Sequence, residues 1–233
     1  MKKVVLCASV LSAVAIGYSL HTLTAQAETI DSKATVTAIA GTDPVDPVDP
    51  TNPENPGTNP GEEGNNTGQD GSLQINYVSN LLFGENVKLT GKTVQAGIKN
   101  TATPYFQVSD LRGTGAGWNL KTSLSDFTNT AGKTIKGASI AFTSGVVRTP
   151  NTAKDNGATT TDITLQAGPT AAPQSLLKAN AGTGRGTWLV AYDKADQTEN
   201  KKIMFSAPTE SIDTQTMYTA NLTWQLEDGP TSN

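Results

Sequence analysis

Cysteine and histidine are almost missing from this chain. Cys7 is the one cysteine and His21 the one histidine in 233 residues. Both lie in a leader-like start. Met1-Lys2-Lys3 is positive, Val4 to Leu20 is largely apolar, and Ala25-Gln26-Ala27 is an A-x-A site. That order reads as a secretory signal peptide over residues 1–27, cleaved before Glu28. The apolar run is broken by Ser9, Ser12 and Gly17 and is short for a membrane span. Cys7 sits inside the run, whereas a lipid-attachment cysteine would follow it. After cleavage the chain has no cysteine and no histidine. That excludes disulfides, a thiolate nucleophile and a Ser-His-Asp relay. Zinc sites built on Cys or His are excluded as well. Export without disulfides suits a bacterial protein.

Charge and aromatics are also scarce, at 16% and 6% of the chain. Without Lys2 and Lys3, 15 basic residues face 21 acidic ones, a formal charge of −6. The imbalance sits in residues 41–72, where Asp43, Asp46, Asp49, Glu54, Glu62, Glu63 and Asp70 meet no Lys or Arg. From Leu73 onward 14 basic residues stand against 12 acidic. No basic stripe is present, so nucleic acid is not an expected partner.

Residues 41–72 begin "GTDPVDPVDPTNPENPG", with Pro44, Pro47, Pro50, Pro53 and Pro56 at every third position. The segment has no aromatic side chain to bury, so residues 28–72 are expected to stay unfolded. Proline at that spacing favours an extended, semi-rigid polyproline II spacer, looser from Gly57 on. A second reading makes the repeat a ligand for a proline-binding domain.

From residue 73 to 233 one domain is expected. Long apolar runs at helical spacing are absent, and short alternating segments recur instead. "SLQINYV", "TVQAGI", "YFQVSDL", "SIAFTSGVV", "TDITLQA", "GTWLVAYD" and "KKIMFSA" read as strands. Turn signals separate them at Thr90-Gly91, Asn129 to Gly132, Ser144-Gly145, Asn156-Gly157 and Gly182 to Gly186. The expected class is all-β, an antiparallel β-sandwich or barrel-like domain preceded by the disordered Pro/Asp/Gly-rich segment. Ala171 to Ala179 reads as a possible helical turn around Ser175-Leu176-Leu177.

Two of the three tryptophans share one short pattern. In "GAGWNLKTSLSDF", Trp118, Leu120, Thr122 and Leu124 fall on one side of a strand. In "YTANLTWQLEDG", Tyr218, Ala220, Leu222, Trp224 and Leu226 do the same. Trp-x-Leu is thus i, i+2 on an amphipathic strand. One reading makes both pairs core. The other makes the tryptophans a platform for stacking sugars or docking a partner.

"SDLRGTGAGWNLKTSLSDF" followed at the end by "YTANLTWQLEDGP" resembles the WxL domain of Gram-positive surface proteins, over roughly residues 70–233. "LLFG" at residues 81–84 and the lead-in Asp110-Leu111-Arg112-Gly113-Thr114-Gly115, with Gly117 before the first tryptophan, add to the likeness. The resemblance implies non-covalent attachment to the cell wall, with peptidoglycan or another wall polymer as ligand. It implies membrane-anchored surface proteins and other WxL proteins as partners, with host matrix proteins as a further class for an adhesin. It names Trp118, Leu120, Trp224 and Leu226 as the wall-binding motif. From the residues themselves, no enzyme activity, cofactor or metal is expected. Neither an apolar C-terminal span nor an LPxTG-like sorting motif is seen, so attachment is expected to reside in the domain and the 41–72 segment to be dispensable for it.

Other chemistry is thin. A glycosidase pair would have to come from Asp110, Asp126, Asp162, Asp193 or Glu227, and nothing brings two of them together. "GTGRGTW" around Arg185 lacks the Gly-Lys-Ser/Thr of a phosphate loop and reads as a hairpin turn with Arg185 exposed. Asp193 with Asp196, and Glu227 with Asp228, lack calcium-loop spacing.

Overall fold

The structure is a computed structural model, which describes residues 30–57, 64–153, 157–194 and 199–229. The leader expected over residues 1–27 lies outside the described residues. Internal contacts divide the chain into residues 1–37 and 38–233. Of the first unit, residues 30–37 are described, and they are exposed.

The second unit is built from strands. In chain order these are β1 (Gly64–Asn66), β2 (Leu73–Ser79), β3 (Thr93–Ile98), β4 (Tyr105–Asp110), β5 (Trp118–Leu124), β6 (Thr128–Asn129), β7 (Ser139–Phe142) and β8 (Val146–Arg148). They continue with β9 (Thr159–Thr160), β10 (Ile163–Gln166), β11 (Gln174–Ala179), β12 (Gly186–Ala191), β13 (Asn200–Pro208), β14 (Tyr218–Thr219) and β15 (Leu222–Asp228). All pairings are antiparallel. Three main sheets result, ordered β1-β2-β4-β12-β8, β10-β7-β13-β3 and β15-β5-β11-β9, with β14-β6 as a small pair. They pack as a sandwich around a main core, with a smaller buried cluster on the outer face of the first sheet.

Phe106 marks where the sheets meet. It comes from β4 of the first sheet and is fully buried. Its ring lies 6.0 Å from Phe142 of the second sheet and 4.3 Å from Trp224 of the third, and 6.2 Å from Tyr192 just beyond β12. Rings at these separations in tilted or edge-to-face poses add about 0.5–1.5 kcal/mol each beyond area burial.

Strand alternation located most elements, with one correction. Residues 174–179 are strand β11 and not a helical turn. β11 sits between β5 and β9, and its register shifts between Ser175 and Leu177. The bulge leaves both Leu176 and Leu177 fully buried, which breaks the period of two that normally signals a strand.

The proline-rich segment also differs from its expected state. All six residues of β4 are buried, on both faces of the sheet. Inward lie Phe106 and Val108; outward lie Tyr105, Gln107 and Ser109. The outward face is covered by residues 41–57. The Val45 and Val48 amides donate to the side-chain oxygens of Gln74 and Gln107, at 3.0 and 2.9 Å. The Gln74 and Gln107 side-chain nitrogens donate in return to the carbonyls of Asp43 and Asp46, at 3.0 and 3.1 Å. Val48 packs with Tyr77, Tyr105, Leu189 and Ala191. Beyond Val48 the Asp49 carboxylate accepts from the Thr51 and Asn52 amides and the Thr51 hydroxyl, closing a turn. The chain then returns, with Val48 bridged to Pro56. Arg148 donates to the Pro50 carbonyl at 2.6 Å while paired with Asp193. A segment with no core of its own is thus ordered by another element's buried polar side chains.

Candidate functional site

The two Trp-x-Leu motifs lie about a hundred residues apart in sequence and on neighbouring strands in space. β5 and β15 pair with Leu120 opposite Leu226, Trp118 opposite Asp228 and Trp224 opposite Thr122. Directly opposed residues point to one face of a sheet. The leucines therefore form a central pair, and the tryptophans extend from it toward opposite ends of the strands.

Burial separates the motifs. Trp118 and Leu120 are 0% exposed, because β5 is an inner strand between β15 and β11. The Trp118 indole N–H donates to the Gly184 carbonyl at 2.9 Å, so its one polar group is satisfied inside. Trp224 and Leu226 are partly buried, since β15 is the edge strand of its sheet. Trp224 still lays its ring against Phe106. Trp118 thus has no face open to a ligand, and Trp224 has one face committed to the core. The third tryptophan, Trp188, is also buried, and its indole N–H donates to the Arg185 carbonyl.

The lead-in residues meet at Arg112. Its Nε and Nη2 take both oxygens of Asp110 at 2.9 and 2.8 Å, a fork-to-carboxylate pair whose Asp110 side chain is 0% exposed. Nη2 also donates to the Gly117 carbonyl at 2.8 Å, and Nη1 reaches Asp228. Gly117 immediately precedes the first motif, and Asp228 follows the second by two residues. One guanidinium therefore ties the end of β4 to both motifs. Asp110 hydrogen bonding holds the Arg112 cation above its ordinary value. The Gly229 amide adds a bond to the same Gly117 carbonyl.

Glycine is required at Gly117. Its φ is +82°, and a Cβ there would stand 2.5 Å from the Ala179 carbonyl oxygen, a backbone atom. Gly184, which receives the Trp118 indole, has φ +74°; a Cβ would meet the Ala179 Cβ at 2.1 Å and the indole at 2.8 Å. Gly113 and Gly115 also have positive φ and turn the chain between β4 and β5. Arg185 is exposed and donates to the Thr114 carbonyl across that loop at 3.2 Å.

The opposite face of the β15-β5-β11-β9 sheet is polar. Lys121, Ser123, Thr223, Gln225 and Glu227 alternate with the motif residues, with Lys121 and Glu227 paired at 2.7 Å. Asn119, on the same face, is buried, and its side-chain oxygen accepts from the Ser175 hydroxyl at 2.6 Å. Ser175 and Lys178 of β11 share this face, opposite Lys121 and Asn119, and the helical reading of residues 171–179 left them out of it.

The candidate catalytic carboxylates go to separate partners. Asp110 is held by Arg112, Asp193 by Arg148, Glu227 by Lys121, and Asp162 accepts from the Ser144 amide. Asp126 lies on the loop between β5 and β6. Asp196 lies outside the described residues. Among the described residues no three His, Cys, Asp or Glu side chains gather as metal ligands would. No described helix is long and apolar enough to cross a membrane. One open cleft of about 450 Å³ runs between Thr51 and Pro53 on one side and Val147, Arg148 and Trp188 on the other.

Comparison with curated proteins and with solved structures finds no match. The model of the WxL domain, described as surface cell wall-binding, matches residues 25–230. That span contains both paired motifs, the Arg112 junction and every strand described. The chain belongs to the WxL family and is a surface domain that binds the cell wall.

Proposed function

We propose that the domain attaches non-covalently to peptidoglycan, and that it does so through the polar face of the β15-β5-β11-β9 sheet. The observation that carries this reading is the complete burial of Trp118 and Leu120 beside the open positions of Thr223 and Gln225 on the other face. Hydroxyls, amides and a lysine on one sheet face supply the donors and acceptors that glycan hydroxyls and peptide stems need. The Trp-x-Leu residues serve attachment by packing beneath that face and fixing its strands in place. Among the described residues β15 pairs with β5 alone. Its other edge is open to a strand of a membrane-anchored surface protein, which would join this chain to a complex by strand addition.

Co-sedimentation of the chain from Glu28 with purified Gram-positive sacculi tests the reading. Thr223→Ala with Gln225→Ala, both at exposed positions, is expected to melt close to the parent and to sediment at least fivefold less. Equal sedimentation of a folded variant would remove the polar face from the site. Failure of the parent chain itself to sediment would make wall attachment dependent on a protein partner.

A further inference from the structure

The outer face of the first sheet is used by no part of the reading above. Its residues are buried although they point away from the core, and what buries them is a repeat. Asp43-Pro44-Val45 and Asp46-Pro47-Val48 are the same tripeptide twice, and each is held in the same way. A glutamine accepts from the valine amide and donates to the aspartate carbonyl. The spacing of the clamps fits the spacing of the repeat. Three residues of polyproline II advance about 9 Å. Gln74 lies opposite Ser109, two residues along β4 from Gln107. Two residues along a strand and one strand across amount to about 8 Å. Tyr77 and Tyr105 stack at 4.1 Å and 10° between ring planes, and with Leu189 they floor the position of Val48. Aromatic floors with side-chain hydrogen bonds to the main chain are how folded domains read proline-rich segments.

We propose that this face is a binding site for extended peptides of Asp-Pro-Val repeats, filled here by the chain's own strap, and that its occupant in trans is the strap of a second copy. The two glutamine clamps read only main-chain atoms of the strap. A second copy carries the identical repeat, so exchange reproduces every clamp and the Val48 contact unchanged. Elements that make the same contacts within and between chains swap at low cost. Such exchange would link wall-bound copies side by side, whatever polymer holds them.

Two measurements on the chain from Glu28 decide it. The first is amide hydrogen exchange. Val45 and Val48 are expected to exchange at least a hundredfold more slowly than in the free peptide, with Gln107→Leu releasing Val48. Unprotected amides in the parent chain would overturn the site. The second uses the absence of cysteine after residue 27. Donor-labelled Thr51→Cys chains are mixed with acceptor-labelled Val146→Cys chains, and energy transfer is followed against concentration. Transfer that rises with concentration, and falls at least tenfold when Gln74→Leu and Gln107→Leu are added to the acceptor chain, supports exchange. Protected amides with no intermolecular transfer up to millimolar chain would leave a cis clasp and overturn the second copy as occupant. Transfer indifferent to the glutamines would overturn the site as its cause.

Discussion

Trp118 and Trp224 occupy one motif and do different work. Trp118→Ala removes a fully buried ring and its hydrogen bond to Gly184, which costs about 3–5 kcal/mol. For a chain of this size that lowers Tm by about 6–20 °C. Any loss of wall binding should track the unfolded fraction, and thermal melts run beside sedimentation will show whether it does. Trp224→Ala, at a partly buried edge, should cost about 1–3 kcal/mol. Arg112 is the more telling position. Arg112→Lys keeps the charge and loses the fork that holds both Asp110 oxygens, the Gly117 carbonyl and Asp228. Leaving a buried carboxylate half-paired should cost about 3 kcal/mol, seen as a lower denaturant midpoint with unchanged slope. The sequence showed the Asp-x-Arg pair and its glycines. It did not show that Asp228, 116 residues on, completes the junction, because only the antiparallel register of β5 and β15 brings it there.

Among the elements, β3 and β11 mark what alternation can and cannot tell. "TVQAGI" follows a period of two with a turn glycine before it, and β3 covers those six residues. β11 carries a bulge between adjacent leucines, and a bulge erases the period that sequence reading depends on. The strap was illegible for another reason. Its composition gives it no core of its own, and its ordering comes from Gln74, Gln107 and the seat of Val48, on a strand face that reads as solvated. The strap's closing turn is pH-sensitive. The Thr51 hydroxyl, helped by the Thr51 and Asn52 amides, holds the Asp49 carboxyl below its ordinary 3.8. A carboxyl depressed in the folded state stabilises the fold above its unfolded value, and that contribution is lost as pH falls through the folded value. Exchange of the Thr51 and Asn52 amides should therefore be protected at neutral pH and lose protection below about pH 3.8. Asp49→Asn should flatten that dependence. At the β5 entry, Gly117→Ala sets positive φ against a backbone clash, and a loss of more than about 2 kcal/mol is expected in equilibrium unfolding.

At the scale of the molecule, the second motif arrives late. β15 is the last strand described, and it pairs with a strand that begins at residue 118. Until residues 222–228 dock, β5 has a bare edge, Phe106 lacks the Trp224 ring, and Arg112 lacks Asp228. Contacts between residues far apart in sequence are slow to form, because the loop between them must close first. Folding should accordingly end in one slow, cooperative step that Trp224 reports. In stopped-flow refolding, the fluorescence difference between the parent and Trp224→Phe chains is expected to change together with the far-ultraviolet strand signal on the millisecond-to-second scale. The repeated tryptophan motif then acts as a completion lock, engaging when both ends of the span from 118 to 228 are present.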